Sequence, residues 1–210
     1  MRRSLVIALV TASATACTVV GIRSGTEEPA YELVDTLGED VEVRHYAPRL
    51  AAETTVAAGP DARNDAFRRL AGYIFGGNQE ARRIAMTAPV ETTSAGREIA
   101  MTVPVELDAA ADQVRMRFFL PADLTLATAP VPNDPQVHLL EIPAQTLAVH
   151  SFTGGTSDAA VARAANRLAT VLAASAWQPS GAAVAYFYDP PWTLPPLRRN
   201  EVVIQVDRPG

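Results

Sequence analysis

The sequence predicts an α+β domain in which one curved antiparallel sheet carries two packed helices and is built from two similar halves. A weak internal similarity with an offset of about 97 positions relates Leu50 to Leu147 and Asp61 to Asp158. Each half then reads strand–strand–helix–strand–strand. Because each helix has one apolar face, both helices are expected to pack on the sheet and bury that face.

Short runs with alternating apolar residues, bounded by turn-forming residues, predict the strands. The turns after the first strand of each half contain proline, which suits a tight reversal. The predicted strands are Val41–Tyr46, Leu50–Val56, Val114–Leu120, Val137–Ile142, Leu147–Phe152, Ala183–Tyr188 and Val202–Val206.

Two segments have helical periodicity and helix-boundary residues. Asp61 is placed to cap a helix over Ala62–Phe75, and two glycines follow this helix. Ser157 or Asp158 caps a second helix that runs to about Ala176. The predicted apolar faces comprise Phe67, Leu70, Ala71 and Ile74 in the first helix and Val161, Ala165, Leu168 and Leu172 in the second.

An eight-residue phrase occurs twice in the first half. Ile84–Glu91 returns as Ile99–Glu106 with one difference, which suggests the two strands of a hairpin. Alternation places Met86 and Met101 on the same face as the isoleucines, either in the core or along a ligand cleft. Proline lacks an amide proton, so each strand should lie at an edge, a bulge or a cavity wall.

The first 29 residues are predicted to precede the folded domain. Residues 1–16 have the basic start, apolar run and small-residue end of a signal peptide. Cys17 follows in a context that resembles a bacterial lipobox, which would lipidate this thiol; plain secretion after Ala16 is the alternative. Residues 17–29 then form a tether, and residues 30–208 form a single domain in the cell envelope, anchored to a membrane on its periplasmic or outer side.

Composition excludes several classes of function. The net charge of −5 argues against a nucleic-acid-binding protein, which needs a basic face for phosphates. Cys17 is the only cysteine, so the chain can form no internal disulfide and has no cysteine nucleophile in its domain. The three histidines do not have the spacing of a zinc site, and no catalytic motif is present.

Three sets of residues could contact a ligand. His45 could ligate haem iron, although an ordinary strand histidine is the alternative. Met86 and Met101 have thioethers that could contact a porphyrin, or could simply fill the core. Arg198 and Arg199 could bind carboxylates such as porphyrin propionates, or could pair with Glu201.

Three motifs together resemble the SOUL haem-binding protein family. They are the segment Glu42–Tyr46, the repeated Met-Thr-x-Pro-Val, and the ending from Asp189-Pro-Pro-Trp to Arg-Arg-Asn-Glu-Val. The resemblance covers about residues 30–206. It implies a distorted β-barrel of two pseudo-symmetric halves, similar to bacterial effector-binding domains, and non-covalent binding of haem or other tetrapyrroles.

The family also implies a site on the first helix. In some members the histidine that matches His45 is a proposed axial ligand, and in others apolar contacts with the first helix hold haem. At the positions of Ala71 and Gly72 such relatives carry methionine and lysine. The apolar contacts would therefore fall to Phe67, Leu70 and Ile74, and the charged contact to Arg63 or another arginine.

The sequence thus predicts a monomeric, lipid-anchored protein that binds haem or a related porphyrin reversibly and catalyses no reaction. A general small-ligand receptor is the second hypothesis, because of the likeness to effector-binding folds. A hydrolase that uses Glu53 or Glu141 as general base is the third, and it would need a carboxylate in a cleft.

Overall fold

The computed structural model describes residues 26–94, 113–190 and 192–208. Within these residues the chain forms ten strands and two α-helices. The strands are β1 Tyr31–Leu37, β2 Val41–Tyr46, β3 Arg49–Ala57, β4 Val90–Ser94, β5 Gln113–Phe119, β6 His138–Ile142, β7 Gln145–Phe152, β8 Gln178–Pro179, β9 Val184–Phe187 and β10 Asn200–Asp207. The helices are α1 Ala62–Ile74 and α2 Asp158–Ala173.

The strands form one curled antiparallel sheet. Nine strands follow the order β1-β2-β7-β10-β9-β4-β5-β3-β6, and β8 pairs with β10. Only residues 47–48 join β2 to β3, although these strands are second and eighth in the sheet. Residues 143–144 likewise join β6 to β7, which are ninth and third. Connections this short bring the two ends of the sheet together, so the sheet curls into a half-barrel.

The two predicted halves are present and exchange their first strands. The first half supplies β3, β4 and β5, and its β2 pairs with β7 of the second half. The second half supplies β7, β9 and β10, and its β6 pairs with β3 of the first half. The resulting groups β2-β7-β10-β9 and β6-β3-β5-β4 meet where β9 pairs with β4. The exchange ties the halves into one domain.

The two helices begin differently; α1 ends within one residue of the predicted end, and α2 ends at Ala173, three residues before the predicted Ala176. The hydroxyl of Ser157 caps α2 by accepting from the amide of Ala160 at 3.3 Å. Asp61 occupies the corresponding position before α1 but makes no side-chain capping bond, contrary to the prediction. After α1, Gly76 has a φ of +112°, a conformation that favours glycine.

Three apolar clusters hold the domain together. The α1 layer packs against β3 and β5 on the outer face of the sheet. The α2 layer packs against β2, β7 and β10 on the same face. The third cluster, the inner core, lies on the concave face, where it contacts no helix; its buried members are Tyr46, Ala51, Ala88, Phe119, Ile142, Leu147, Val149, Tyr186, Tyr188 and Val203.

The predicted strand over the first copy of the repeated phrase is wrong for residues 84–89. Strand β4 begins only at Val90. Before it, the Ile84 amide donates to the carbonyl of Ile74 at the end of α1, and the Ala88 amide donates to the carbonyl of Glu27. These contacts hold the segment as an irregular connection between the helix end and the first described residues. The second copy, residues 99–106, lies outside the described residues.

The edge strand β1 was not predicted. Its side chains are mostly exposed, and Glu32 and Asp35 interrupt any apolar alternation. It nevertheless pairs with β2 along its length, with an irregularity between Leu33 and Asp35. Burial is the physical basis of strand periodicity, so a strand with little burial gives little signal.

Candidate functional site

An open groove lies between β1 and the second half of α2. Its volume is about 830 Å³, within the usual range of small-molecule sites. We call it the outer groove. Its lining is mostly apolar or small, with arginines at two positions; it comprises residues 34–38, Arg167, Thr170, Val171, residues 174–177 and Arg208.

Polar contacts fix the walls of the outer groove. The indole nitrogen of Trp177 donates to the Asp35 carboxylate at 2.8 Å, which ties the segment after α2 to β1. Arg167 donates two hydrogen bonds to Asp40, at 3.0 and 3.1 Å. The Arg167 guanidinium holds the pKa of Asp40 below its usual range. His150 also approaches Asp40, with its Nδ1 3.0 Å from the backbone carbonyl oxygen.

The concave face has a buried carboxylate, Glu201, at the centre of a hydrogen-bonded cluster. The sequence did not predict this cluster. Glu201 is fully buried and accepts hydrogen bonds from four side chains. Arg44 Nη1 reaches its two oxygens at 3.1 and 3.2 Å, and Arg199 reaches Oε1 from Nη2 at 3.0 Å. The Tyr188 hydroxyl donates at 2.6 Å and the Ser151 hydroxyl at 3.3 Å. The carboxylate is therefore neutralised and fully solvated by protein donors.

The buried position and the Glu201 carboxylate change the pKa values of two of the donors, Tyr188 and Arg44. Burial, followed by the negative charge of Glu201, raises the pKa of Tyr188 above its usual range. Burial opposes the charge of Arg44, but the Glu201 carboxylate raises the pKa of Arg44 above its usual value. Both raised pKa values favour the protonated forms of Tyr188 and Arg44, in which each donates to Glu201. Nothing in this arrangement leaves Glu201 accessible as a base.

A second ionic cluster lies on the same face in the first half. Arg117 donates to Glu53 at 2.6 Å and to Glu91 at 2.9 Å. Glu141, the other carboxylate considered for catalysis, is exposed on strand β6. Neither predicted catalytic carboxylate therefore lies unpaired in a cleft.

The structure does not assemble the predicted site on α1. Leu70 and Ile74 are 0% and 1% exposed because they pack against β3 and β5, so neither offers surface to a macrocycle. This corrects the prediction for these two residues. Phe67 is 38% exposed and packs its ring against Phe118, with 5.3 Å between ring centroids.

The predicted polar contacts of that site lie elsewhere. Arg63 donates to the Thr156 carbonyl at 2.9 Å and pairs with Asp158 at the start of α2. His45 is half-buried on β2, with its Nδ1 3.2 Å from the hydroxyl of Thr146. By alternation, His45 shares the sheet face of Val43, which packs in the α2 layer. The structure therefore associates His45 with the second helix and not with the first.

The remaining predicted residues have separate surroundings. Met86 is 39% exposed, so the expectation that it fills the core is wrong. Arg198 donates to the Thr193 carbonyl at 2.7 Å. Arg199 pairs with Glu201 and with Glu28. The pairing with Glu201 agrees with the alternative to a ligand contact that the sequence offered for this residue. Met101 and Cys17 lie outside the described residues.

Two features are absent from the described residues. No helix there is long and apolar enough to cross a membrane. No group of three or more histidine, cysteine, aspartate or glutamate side chains there could hold a metal ion.

Comparison of the whole sequence with family descriptions identifies its relatives. The family described as "SOUL heme-binding protein" matches residues 26–205. The chain belongs to the SOUL haem-binding protein family. The match includes every described strand except the last residues of β10, and it confirms the family indicated by the three sequence motifs. No curated protein matches the SOUL-family chain significantly.

Solved structures confirm the fold of this SOUL-family chain. It is similar to the C-terminal domain of EcmrR, with a TM-score of 0.58, 11% identity, and coverage of 85% of this chain and 98% of that one. An uncharacterised conserved protein and a hydrolase from Listeria innocua have TM-scores of 0.59 and 0.56; each is 11% identical and covers 80% of this chain and 92% of its own. At such low identity the likeness establishes the half-barrel of the effector-binding domains and no activity.

Proposed function

We propose that the chain binds haem or a related tetrapyrrole reversibly, without catalysis, and that the macrocycle lies in the outer groove. Membership of the SOUL haem-binding family supports the class of ligand. The groove supports the location, because it combines a volume of about 830 Å³ with apolar walls. The alternative surface on α1 is closed by packing, as the burial of Leu70 and Ile74 indicates.

The groove chemistry fits a flat macrocycle with acidic side arms. Val34, Leu37 and Val171 offer aliphatic surface to the ring. Arg208 is exposed at the edge of the groove, where a guanidinium suits a propionate. Arg167 is already bonded to Asp40, so it contributes less to such a contact.

The same lining argues against recognition through iron. Haem iron in proteins is held by histidine, cysteine, methionine or tyrosine, and none of these residue types is among the described residues that line the outer groove. His45, on β2, is not among the residues that line the groove. Binding is therefore proposed to depend on the porphyrin ring and its carboxylates, with His45 contributing nothing to iron ligation.

Parallel titrations of the purified full chain with haem and with metal-free protoporphyrin test this proposal. We expect saturable changes in the Soret band for both ligands, with dissociation constants within about threefold, a difference of less than 1 kcal/mol. His45→Ala should leave the Soret position of bound haem unchanged. His138→Ala, at an exposed position of β6, is the matched control. If neither haem nor protoporphyrin gives a saturable change, tetrapyrrole binding is refuted.

A general small-ligand module is the second candidate function. The half-barrel shared with the EcmrR C-terminal domain favours it. The described residues of the groove include no iron-ligand residue type, which also favours it. Unrelated flat aromatic dyes would then bind as well as porphyrins and displace them. A higher affinity for porphyrins than for such dyes would support tetrapyrrole binding over a general small-ligand module.

We also infer that residues 1–16 direct export and that Cys17 carries the lipid anchor, as the sequence pattern indicates. Labelled palmitate should enter the wild-type protein but not Cys17→Ser when both are expressed in a lipoprotein-processing bacterium. Export with a free N-terminus after Ala16 and no label would favour plain secretion.

A further inference from the structure

Arg49 occupies the junction between the two halves of the sheet. It is the first residue of β3, directly after the short connection from β2. Gln145 holds the corresponding place at the start of β7, after the connection from β6. Arg49 Nη2 donates to the Gln145 side-chain oxygen at 2.9 Å, so the two strand starts meet across the half-barrel.

Aromatic rings enclose the Arg49 guanidinium. Its central carbon lies 4.4 Å from the ring centroid of Tyr46 and 4.6 Å from that of Phe119. Such stacking is favourable for a cation. It also shields the charge from water, and among the described residues the enclosed Nε and Nη1 atoms have no hydrogen-bond acceptor within 3.5 Å.

Three other arginines of the concave face, unlike Arg49, each contact two carboxylates. Arg44 contacts two carboxylates, those of Glu201 and Glu42. Arg117 contacts Glu53 and Glu91, and Arg199 contacts Glu201 and Glu28. Among the described residues, no carboxylate lies within 4 Å of Arg49. A shielded cation without a counterion is costly, so an anion beside it would be stabilising.

A pocket of about 190 Å³ adjoins this arginine. At about 30 Å³ for each water molecule in the liquid, this volume corresponds to roughly six waters, enough for a small organic acid. Apolar residues supply most of its wall, including Pro48, Phe119 and Leu120. Glu27 also lines it and accepts a hydrogen bond from the amide of Ala122 at 2.8 Å.

We propose that this pocket is a binding site for an organic carboxylate, with Arg49 as the residue that pairs with the carboxylate group. The ligand is a small aliphatic acid or the carboxylate arm of a larger molecule. The apolar wall takes the hydrocarbon part. Glu27 disfavours the bound anion and thereby keeps the affinity moderate. This inference does not depend on tetrapyrrole binding in the outer groove.

Titration of the full chain with sodium propionate tests the proposal. The Nε–Hε resonance of Arg49, followed by NMR, should shift saturably with propionate. Neutral propionamide, and sodium chloride at equal ionic strength, should produce no saturable shift. Arg49→Gln should weaken propionate binding, measured by calorimetry, by about tenfold or more, the scale of a lost charged hydrogen bond.

Two further variants separate a site from a general charge effect. Arg68→Gln removes an exposed arginine of α1 and should leave propionate binding unchanged. Glu27→Gln removes the carboxylate of the pocket and should strengthen binding. An Arg49 resonance that does not move, or equal losses in Arg49→Gln and Arg68→Gln, would overturn the proposal. Because the resonance is followed in the wild-type protein, the test stands even if Arg49→Gln folds poorly.

A competition experiment identifies the source of the carboxylate. If a porphyrin carboxylate occupies the pocket, haem will displace propionate and haem dimethyl ester will not. If a free small acid is the ligand, propionate will bind equally well with and without haem. Displacement by the dimethyl ester as effectively as by haem would contradict recognition of a carboxylate.

Discussion

The two halves of the molecule place opposite charges at the equivalent point of the concave face. In the first half Arg117 on β5 lies between Glu53 on β3 and Glu91 on β4. In the second half Glu201 occupies the equivalent position on β10, between β7 and β9, and two arginines neutralise it. Each half therefore has a paired ionic centre on the concave face, with an arginine at its middle in the first half and a glutamate in the second.

The outer layers of the halves also differ, and this difference explains why the outer groove lies beside α2. The α1 layer is closed by residues from loops, whereas the α2 layer has β1 alongside it and remains open at the end of the helix. The loop residues that complete the α1 layer are Ile84, Leu120, Leu124, Ala129 and Val137. The same architecture thus produces a closed layer on one helix and a ligand-sized groove on the other.

The largest expected effect comes from removal of the buried acid. Glu201→Ala leaves Arg44 and Arg199 without their shared counterion, so we expect a loss of about 3–5 kcal/mol in the free energy of unfolding. Urea denaturation followed by circular dichroism measures it. Arg117→Ala should cost less, because Arg117 and Glu53 are about one-fifth exposed and water can replace part of the contact. Equal losses would break the distinction between the two centres.

Alkaline pH should destabilise both halves through buried tyrosines. Burial raises the pKa of Tyr73, in α1, from 10 to about 12, and it also raises the pKa of Tyr188. The unfolded state loses these protons first, so stability is full below pH 10 and falls between about pH 10 and 12. Urea midpoints measured across this interval should decline.

Tyr73→Phe removes one of these ionisations and should make the decline shallower. It also removes the hydrogen bond from the Tyr73 hydroxyl to the Pro130 carbonyl at 2.9 Å, so a loss of about 1 kcal/mol at neutral pH is expected. A decline as steep as that of the wild type would contradict the assignment.

The smallest effect concerns the two helix starts. Ser157→Ala removes the cap of α2 and should cost about 1 kcal/mol of unfolding free energy. Asp61→Ala should cost clearly less, because Asp61 makes no capping bond. Thermal unfolding of the two variants side by side measures the difference. A larger loss for Asp61→Ala would mean that charge near the α1 start outweighs capping.

The parts of the fold that follow one chemical rule could be predicted from the sequence. Helix α2 has a capping serine and an apolar stripe, and β2, β3 and β7 alternate clearly, so the bounds of these strands agree with the structure within about two residues and α2 ends three residues before the predicted position. The segment before Val90 also alternates, but its amides are satisfied by Ile74 and Glu27 instead of a neighbouring strand. Tertiary hydrogen bonds of this kind leave no local pattern.

The candidate site was harder to predict for a related reason. Sequence periodicity identified the apolar face of α1 only in part: Leu70 and Ile74 lie in the core, whereas Phe67 is exposed. Tyr73, which is buried, was not predicted. The outer groove depends on β1, which has few buried side chains, and on Trp177 after α2. Arg44 and Glu201 are 157 positions apart, so only the strand exchange between halves reveals their contact.

The location of the macrocycle is tested most directly by two substitutions at the end of α2. Ala174 is exposed and lines the outer groove, whereas its neighbour Ala173 is also exposed and is not among the lining residues. Haem titration should give Ala174→Glu a dissociation constant at least about tenfold above that of the wild type, because the added carboxylate lies in an apolar site for an anionic ligand. Ala173→Glu should bind as the wild type does. If Ala174→Glu binds haem as tightly as the wild type and Phe67→Ala binds it more weakly, the proposal that haem lies in the outer groove is wrong. The site would then lie on α1.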